Sequence, residues 1–285
     1  MFEIAAPAKI NLYLKVFEKR ADGFHRMETV MLKVGLFDHL QMSIEDGDGV
    51  SLEIEGSPDL EIPNNLVVRA AESFLRAAHL RKKIHIKLTK NIFLSAGLGG
   101  GSSDAAATLT MLSKAFPQVL SFEKFLELAA QLGSDVPFFL YDSSLGFAHG
   151  RGEKIIPWAS LPKRWVILVN PGFGMSTAKV YQTLARPQIW ESDNDYRLLE
   201  KSAPTTWPQL EQSFRYENDL QPVVEGEFPV MAEIRKELKA LGAHLSMMSG
   251  SGSTVFGMFE AEATAQAALE KIKNNGFRAV LVSSL

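Results

Sequence analysis

Residues 95–107 read SAGLGGGSSDAAA, with glycines at 97, 99, 100 and 101 followed by Ser102 and Ser103. Glycine costs roughly 0.5–1 kcal/mol relative to alanine inside a regular element, so four of them beside an alanine-rich helix call for a compensating role. Successive glycines let backbone N–H groups converge on a ligand. A helix beginning near Ser102 adds its own unsatisfied N–H groups and the positive end of its dipole. The serine hydroxyls can donate to phosphate or coordinate Mg²⁺. The chemistry is anion binding, and a phosphate is the natural anion. Two familiar loops are excluded. A Walker A loop needs a lysine, and this stretch has none. A dinucleotide fingerprint starting at Gly97 meets Ser102 where its third glycine belongs, and the strand before it alternates apolar and polar residues, unlike a central parallel strand. A flexible linker would carry polar flanks, whereas Ala-Gly-Leu precedes the run and an alanine helix follows it.

Other residues offer chemistry with a plainer alternative beside each. Asp135, in LGSDVPFFL (132–140), is either a general base or a cap on the turn that Pro137 starts. Lys9, in PAKINL, reads by its position alone as a solvated edge lysine. Asn11 shares its side of the strand by the period of two. DGFH (22–25) is a turn whose tip carries Phe24 and His25. Tyr181, in STAKVY, packs on a helix face or supplies a second aromatic. Asn65 and Leu66, in PNNLVVRA, suit a helix start. SGSGST (249–254), with Gly250 and Gly252, reads as a tight inter-strand turn.

The positioning elements follow from periodicity. Ile10, Leu12, Leu14 and Val16 alternate with Asn11, Tyr13 and Lys15, predicting a first strand. MLKVGLFDHLQMSIED and VSLEIEG continue as strands around the turn DGDG (46–49). NNLVVRAAESFLRAAHL switches to helical spacing, KIHIKLTK returns to alternation, and SSDAAATLTMLSKAF and SFEKFLELAAQLG read as helices, the latter capped by Ser121 and stopped by Gly133. After a proline-punctuated joint at 157–163, the order strand, helix, strand, strand, helix, strand is ferredoxin-like, with a polar connection over 186–210 inserted. Two α+β domains are expected, 1–158 and 159–285.

Composition narrows the classes. The 285 residues carry a net charge of −3, which gives no general attraction to nucleic acid or anionic lipid. With no cysteine there is no disulfide, thiolate metal site or cysteine nucleophile, which fits the cytoplasm. The first residues do not read as a signal peptide, no run approaches a membrane span, and the histidines show no metal-binding pair. A small-molecule substrate is expected, with no protein partner evident.

GLGGGSSDAA resembles the ATP-phosphate loop of the GHMP kinases, the superfamily of galactokinase, homoserine kinase and mevalonate kinase. PAKINLYLKVFEKRADGFHRMETV (7–30), LGSDVPFFL and SGSGSTVF (249–256) resemble the branch that phosphorylates a cytidine-diphosphate-linked methylerythritol in the non-mevalonate isoprenoid pathway. The resemblance implies a ribosomal-protein-S5-domain-2-like N-terminal domain, a ferredoxin-like C-terminal domain and an active site in the cleft between them. It implies ATP and Mg²⁺, with no assignment of metal ligands. It gives Asp135 the role of base toward the attacking 2-hydroxyl and Lys9 that of its cationic partner. Leu94, Ser95, Ala96, Gly97, Leu98, Gly99, Gly100, Gly101, Ser102 and Ser103 would hold the triphosphate, and Asn65 and Leu66 would border adenine. Asn11, Phe24, His25, Tyr181, Gly250 and Gly252 would meet the substrate, with the aromatic at 24 stacking on cytosine and His25 hydrogen-bonding it. Another alcohol kinase of the superfamily is the alternative, but it gives no reason for an aromatic-histidine pair on that turn. Two positions depart from the usual pattern: Phe24 stands where tyrosine is common, and Phe93 where proline is common.

Overall fold

A computed structural model describes residues 1–56, 64–184, 199 and 203–285. Most of the polar connection, from 186 to 202, and the Pro63 end of the expected adenine segment lie outside the described residues. Two compact units interleave along the chain: one from 1–8, 36–92 and 99–142, the other from 9–35, 93–98 and 143–285. The long strands β1 (Phe2–Lys19) and β2 (His25–Asp46) supply residues to both.

In the first unit, β2 pairs antiparallel with β4 (Lys82–Thr89) from His39 to Asp46, and β4 pairs parallel with β3 (Gly49–Glu55). The DGDG turn therefore makes no hairpin, because β4 lies between the two strands that the turn joins. Parallel neighbours need a crossover, and α1 (Leu66–Ala77) supplies it. Helices α2 (Gly100–Ala115) and α3 (Phe122–Leu132) and the short α4 (Val136–Leu140) complete the unit. Its core gathers Leu40, Ile84, Ile86, Phe74 and Phe125. From Ser103 to Leu109 every residue of α2 is buried, so small alanines replace the one-sided apolar stripe of a surface helix.

The second unit holds two sheets. In one, β5 (Leu145–His149) pairs antiparallel with β2 at Thr29–Leu32, β6 (Lys154–Trp158) pairs with β5, and the short β8 (Glu217–Asn218) runs parallel to β1 at Tyr13 and Leu14. The other sheet has the order β11 (Arg278–Ser283), β7 (Trp165–Asn170), β10 (Val255–Phe259), β9 (Leu245–Met248), antiparallel throughout. The helices α8 (Val230–Ala240) and α9 (Glu262–Asn274) bury Ile234, Leu238, Ala265 and Ile272 in the same core as Ile167 and Val169 of β7. This is the ferredoxin-like order expected from the sequence. Helices α5 (Thr177–Thr183), α6 (Trp207–Ser213) and α7 (Gln221–Glu227) lie between β7 and α8. Among the described residues no helix is long and apolar enough to cross a membrane.

Candidate active site

Lys9 is not an edge residue. It is 3% exposed and Asn11 2%, both on the polar side of β1, which is itself interior. A buried ammonium must be satisfied by oxygen. The Lys9 Nζ donates to Asn11 Oδ1 at 2.7 Å and to the Gly97 carbonyl at 2.8 Å. Asn11 is oriented in turn, its Nδ2 donating to Thr29 Oγ1 at 2.8 Å while that hydroxyl donates to the Tyr13 carbonyl. The main chain repeats the connection, with Lys9 N–H donating to the Leu98 carbonyl at 2.9 Å. The first half of the glycine loop is thereby fastened to β1.

The turn between β9 and β10 grips the same stretch. Ser249 Oγ donates to the Gly97 carbonyl at 2.9 Å, and Thr254 N–H donates to the Ala96 carbonyl at 3.1 Å. Gly97 has φ +77, and a Cβ there would stand 2.0 Å from the Ser249 carbonyl oxygen, so no other residue fits. A Cβ on Gly250 would stand 3.2 Å from both the Gly97 carbonyl and Lys9 Nζ. Asn218 holds the turn from below, its amide donating to the Met248 and Gly250 carbonyls. Leu94 and Ser95 are exposed, Ala96 and Leu98 are buried, and Ser95 accepts from Met175 N–H through its carbonyl. Phe93 is buried, with the Arg278 guanidinium 4.8 Å from its ring centre.

The second half of the loop starts α2. Gly99 is the N-cap, so the helix begins two residues before the expected Ser102. The first intrahelical bond runs from Ser103 N–H to the Gly99 carbonyl, which leaves the N–H groups of Gly100, Gly101 and Ser102 without intrahelical acceptors at the positive helix end. Gly101 is exposed and Ser102 half-buried, whereas Ser103 is buried and its Oγ has no partner among the described residues. A Cβ on Gly133 would stand 3.8 Å from Ser102 Oγ, so the GSDVPFF segment borders this first turn. Asp135 is the N-cap of α4, with Pro137 in its first turn, yet its side chain makes no capping hydrogen bond. Position therefore fits the cap alternative while the carboxylate does not serve it. Asn65 does cap α1, accepting from Val67 N–H at 2.9 Å, and Leu66 lies beside Gly101.

The residues expected to meet the substrate all belong to the second unit. His25 and Tyr181 face each other with ring centres 5.6 Å apart, and the Tyr181 hydroxyl reaches the Met27 sulfur. Phe24 is 50% exposed and carries the Arg151 guanidinium 5.0 Å from its ring centre. Tyr181 thus lies against His25. Burial, with the Lys19 charge adding to it, holds the His25 pKa below the ordinary 6.5. A neutral imidazole can both donate and accept, as hydrogen bonding to a pyrimidine edge requires. Sequence reasoning missed Thr29, Arg151, Asn218 and Ser249. Thr29 and Ser249 had a signal, since they lie inside the 7–30 segment and the SGSGST turn.

Two outcomes check this geometry. Gly97→Ala combines a left-handed backbone with a carbonyl clash and should lose about 2–4 kcal/mol in urea unfolding; an unchanged midpoint would contradict the close approach to Ser249. The His25 ring should titrate by NMR with a midpoint below 6.5, so the imidazole is neutral at pH 7. A midpoint at or above that value would contradict the burial assigned to it.

The chain resembles known proteins across most of its length. The description "GHMP kinases N terminal domain" matches residues 65–143, and "GHMP kinases C terminal" matches 192–278. A protein of Citrifermentans bemidjiense named 4-diphosphocytidyl-2-C-methyl-D-erythritol kinase is 38% identical over 99% of both chains. One of the same name from Shouchella clausii is 38% identical over 92% of this chain and 86% of its own. A crystal structure of 4-(cytidine 5'-diphospho)-2C-methyl-D-erythritol kinase superposes with a TM-score of 0.79 at 34% identity, covering 99% of each chain. Homoserine kinase from Cytophaga hutchinsonii, at 18% identity and a TM-score of 0.74 over 99% of this chain and 94% of its own, shares the fold. The chain belongs to the GHMP kinase family, with its 4-diphosphocytidyl-2-C-methyl-D-erythritol kinase members.

Proposed function

We propose that this protein transfers the γ-phosphoryl group of ATP to the 2-hydroxyl of 4-diphosphocytidyl-2-C-methyl-D-erythritol, in the non-mevalonate route to isoprenoid precursors. The observation that carries the reading is the fastening of the glycine loop to Lys9. A loop without a lysine of its own receives an ammonium at the Gly97 carbonyl. The ATP-binding domain is taken as 1–158 and the C-terminal domain as 159–285, in a cytoplasmic enzyme.

Phosphoryl transfer passes through a loose transition state, so positioning and charge stabilisation supply most of the rate. The loop amides up to Ser102, with the hydroxyls of Ser102 and Ser103 at the start of α2, hold the phosphates, with Leu94–Ala96 leading into them and Asn65 and Leu66 beside the adenine. The substrate hydroxyl attacks the γ-phosphorus, its proton passes to the Asp135 carboxylate, and the bond to the β-phosphate oxygen breaks with its electron pair leaving on ADP. Lys9 supplies positive charge that keeps a carboxylate base ionised. Asn11, Gly250 and Gly252 border the acceptor, and Phe24, His25 and Tyr181 read the cytosine. Among the described residues no cluster of three or more His, Cys, Asp or Glu could cage a metal. Mg²⁺ keeps most of its waters and binds through nucleotide phosphates and one or two protein oxygens. The Ser102 hydroxyl would offer one such oxygen, and the ion would neutralise charge on the phosphates.

Asp135→Asn should bind ATP and the cytidyl substrate normally but lose about 100- to 10,000-fold in kcat, as expected for a positioned base. Near-normal turnover would remove Asp135 from that role. In the same assay the unmodified enzyme should phosphorylate the cytidyl substrate and leave free methylerythritol untouched. Equal turnover of both would return the reading to a general alcohol kinase of the superfamily.

A further inference from the structure

Three buried charges in the first unit take no part in the site described above. Asp38 lies in β2, Lys90 directly follows β4, and Asp104 lies just past the first turn of α2; their side chains are 0%, 4% and 3% exposed. The Lys90 ammonium donates to Asp104 Oδ2 at 2.7 Å and to Asp38 Oδ2. The other oxygen of Asp38 accepts the backbone N–H groups of Asn91 and Ile92, at 2.6 and 2.9 Å. Asp38 therefore holds the chain where it enters the glycine loop. Through Lys90, the same carboxylate is tied to Asp104, just after the chain leaves that loop.

The two ends also meet directly. A Cβ on Gly100 would stand 3.0 Å from Ile92 Cγ2 and 3.4 Å from Asp38 Oδ2. The helix start is thus seated against the strand end with only a hydrogen atom of clearance. The charge balance is uneven, since one ammonium serves two carboxylates. Asp104 Oδ1 is buried without a hydrogen-bond partner among the described residues. Burial pushes the Asp104 carboxyl up, Asp38 beside it adds to that, and Lys90 opposes both. For Lys90, burial alone would depress the ammonium, but the two carboxylates outweigh it and raise its pKa. Apolar side chains of similar size often stabilise a fold better than such a cluster. Stability alone gives little reason for this surplus of buried charge beneath the loop.

We propose that Lys90, bridging Asp38 and Asp104, is a positioning residue that fixes the spacing between Ile92 and Gly100, and hence the aim of the loop amides at the nucleotide phosphates. The proposal rests on the reading of the loop as a phosphate cradle. It predicts an effect on nucleotide affinity and none on the cytidyl substrate.

The test measures binding of ATP and of 4-diphosphocytidyl-2-C-methyl-D-erythritol by calorimetry to the unmodified protein, Asp104→Ala and Asp104→Asn. Alanine removes the acceptor of Lys90, and asparagine restores one through its amide oxygen. Asp104→Ala should weaken ATP by about tenfold and Asp104→Asn should recover most of that, with the cytidyl ligand bound equally by all three. The proposal is overturned if alanine leaves ATP affinity intact, if both ligands weaken together, or if asparagine fails to rescue. Absence of ATP binding to the unmodified protein would instead overturn the cradle reading itself. Should Asp104→Ala not fold, hydrogen exchange on the unmodified protein decides: ATP should slow the amides of Asn91 and Ile92 along with those of Gly100–Ser102. Unchanged exchange at Asn91 and Ile92 would overturn the proposal.

Discussion

A buried ammonium on an interior strand sets the terms for the second compact unit. Lys9 cannot stay charged at 3% exposure without oxygens around it. The Gly97 carbonyl and Asn11 Oδ1 are two that it uses. Meeting that demand draws the glycine loop onto β1, and the same carbonyl then accepts from Ser249, which brings in the turn between β9 and β10. Gly97 and Gly250 follow from the crowding. Wherever three backbones share one carbonyl, a side chain has no room. The sequence of causes runs from one cation to a fixed loop, and from a fixed loop to amides with constant direction. In a site where preorganised dipoles carry much of the effect, that constancy is the useful property.

The proposed cytidine side is built on a different principle. It relies on ring pairing and a neutral imidazole, not on buried charge. His25 lies against Tyr181, and Phe24, half exposed, lies against Arg151. Phenylalanine at 24 keeps a stacking face and gives up a hydroxyl. The neighbouring guanidinium covers part of that ring and leaves a cation at the same turn.

Much of this was legible in the sequence because periodicity and turn chemistry act locally. The ferredoxin-like order of the C-terminal sheet, the caps at Asn65 and Ser121 and the helix after the glycine run all follow from short-range rules. The failures are tertiary. Alternation along β1 suggested a strand with one wet face, but its polar side is interior and holds Lys9 and Asn11. The DGDG turn joins β2 and β3, but the sequence does not reveal that β4 enters between them. Lys90 reads as the polar end of a strand, and nothing near it announces Asp38, which is 52 residues away. Partners that meet only after folding leave no spacing to read. The resemblance to a family supplied roles that residue chemistry alone left balanced, as at Asp135.

The central claim is that backbone amides of a lysine-free loop hold the phosphates. Amide chemical shifts of the ¹⁵N-labelled protein, followed during titration with a non-hydrolysable ATP analogue, test it directly. The largest changes should fall on residues 97–103, with smaller ones at Asn65 and Leu66. Saturable binding that leaves the amides of 97–103 unmoved would contradict the account.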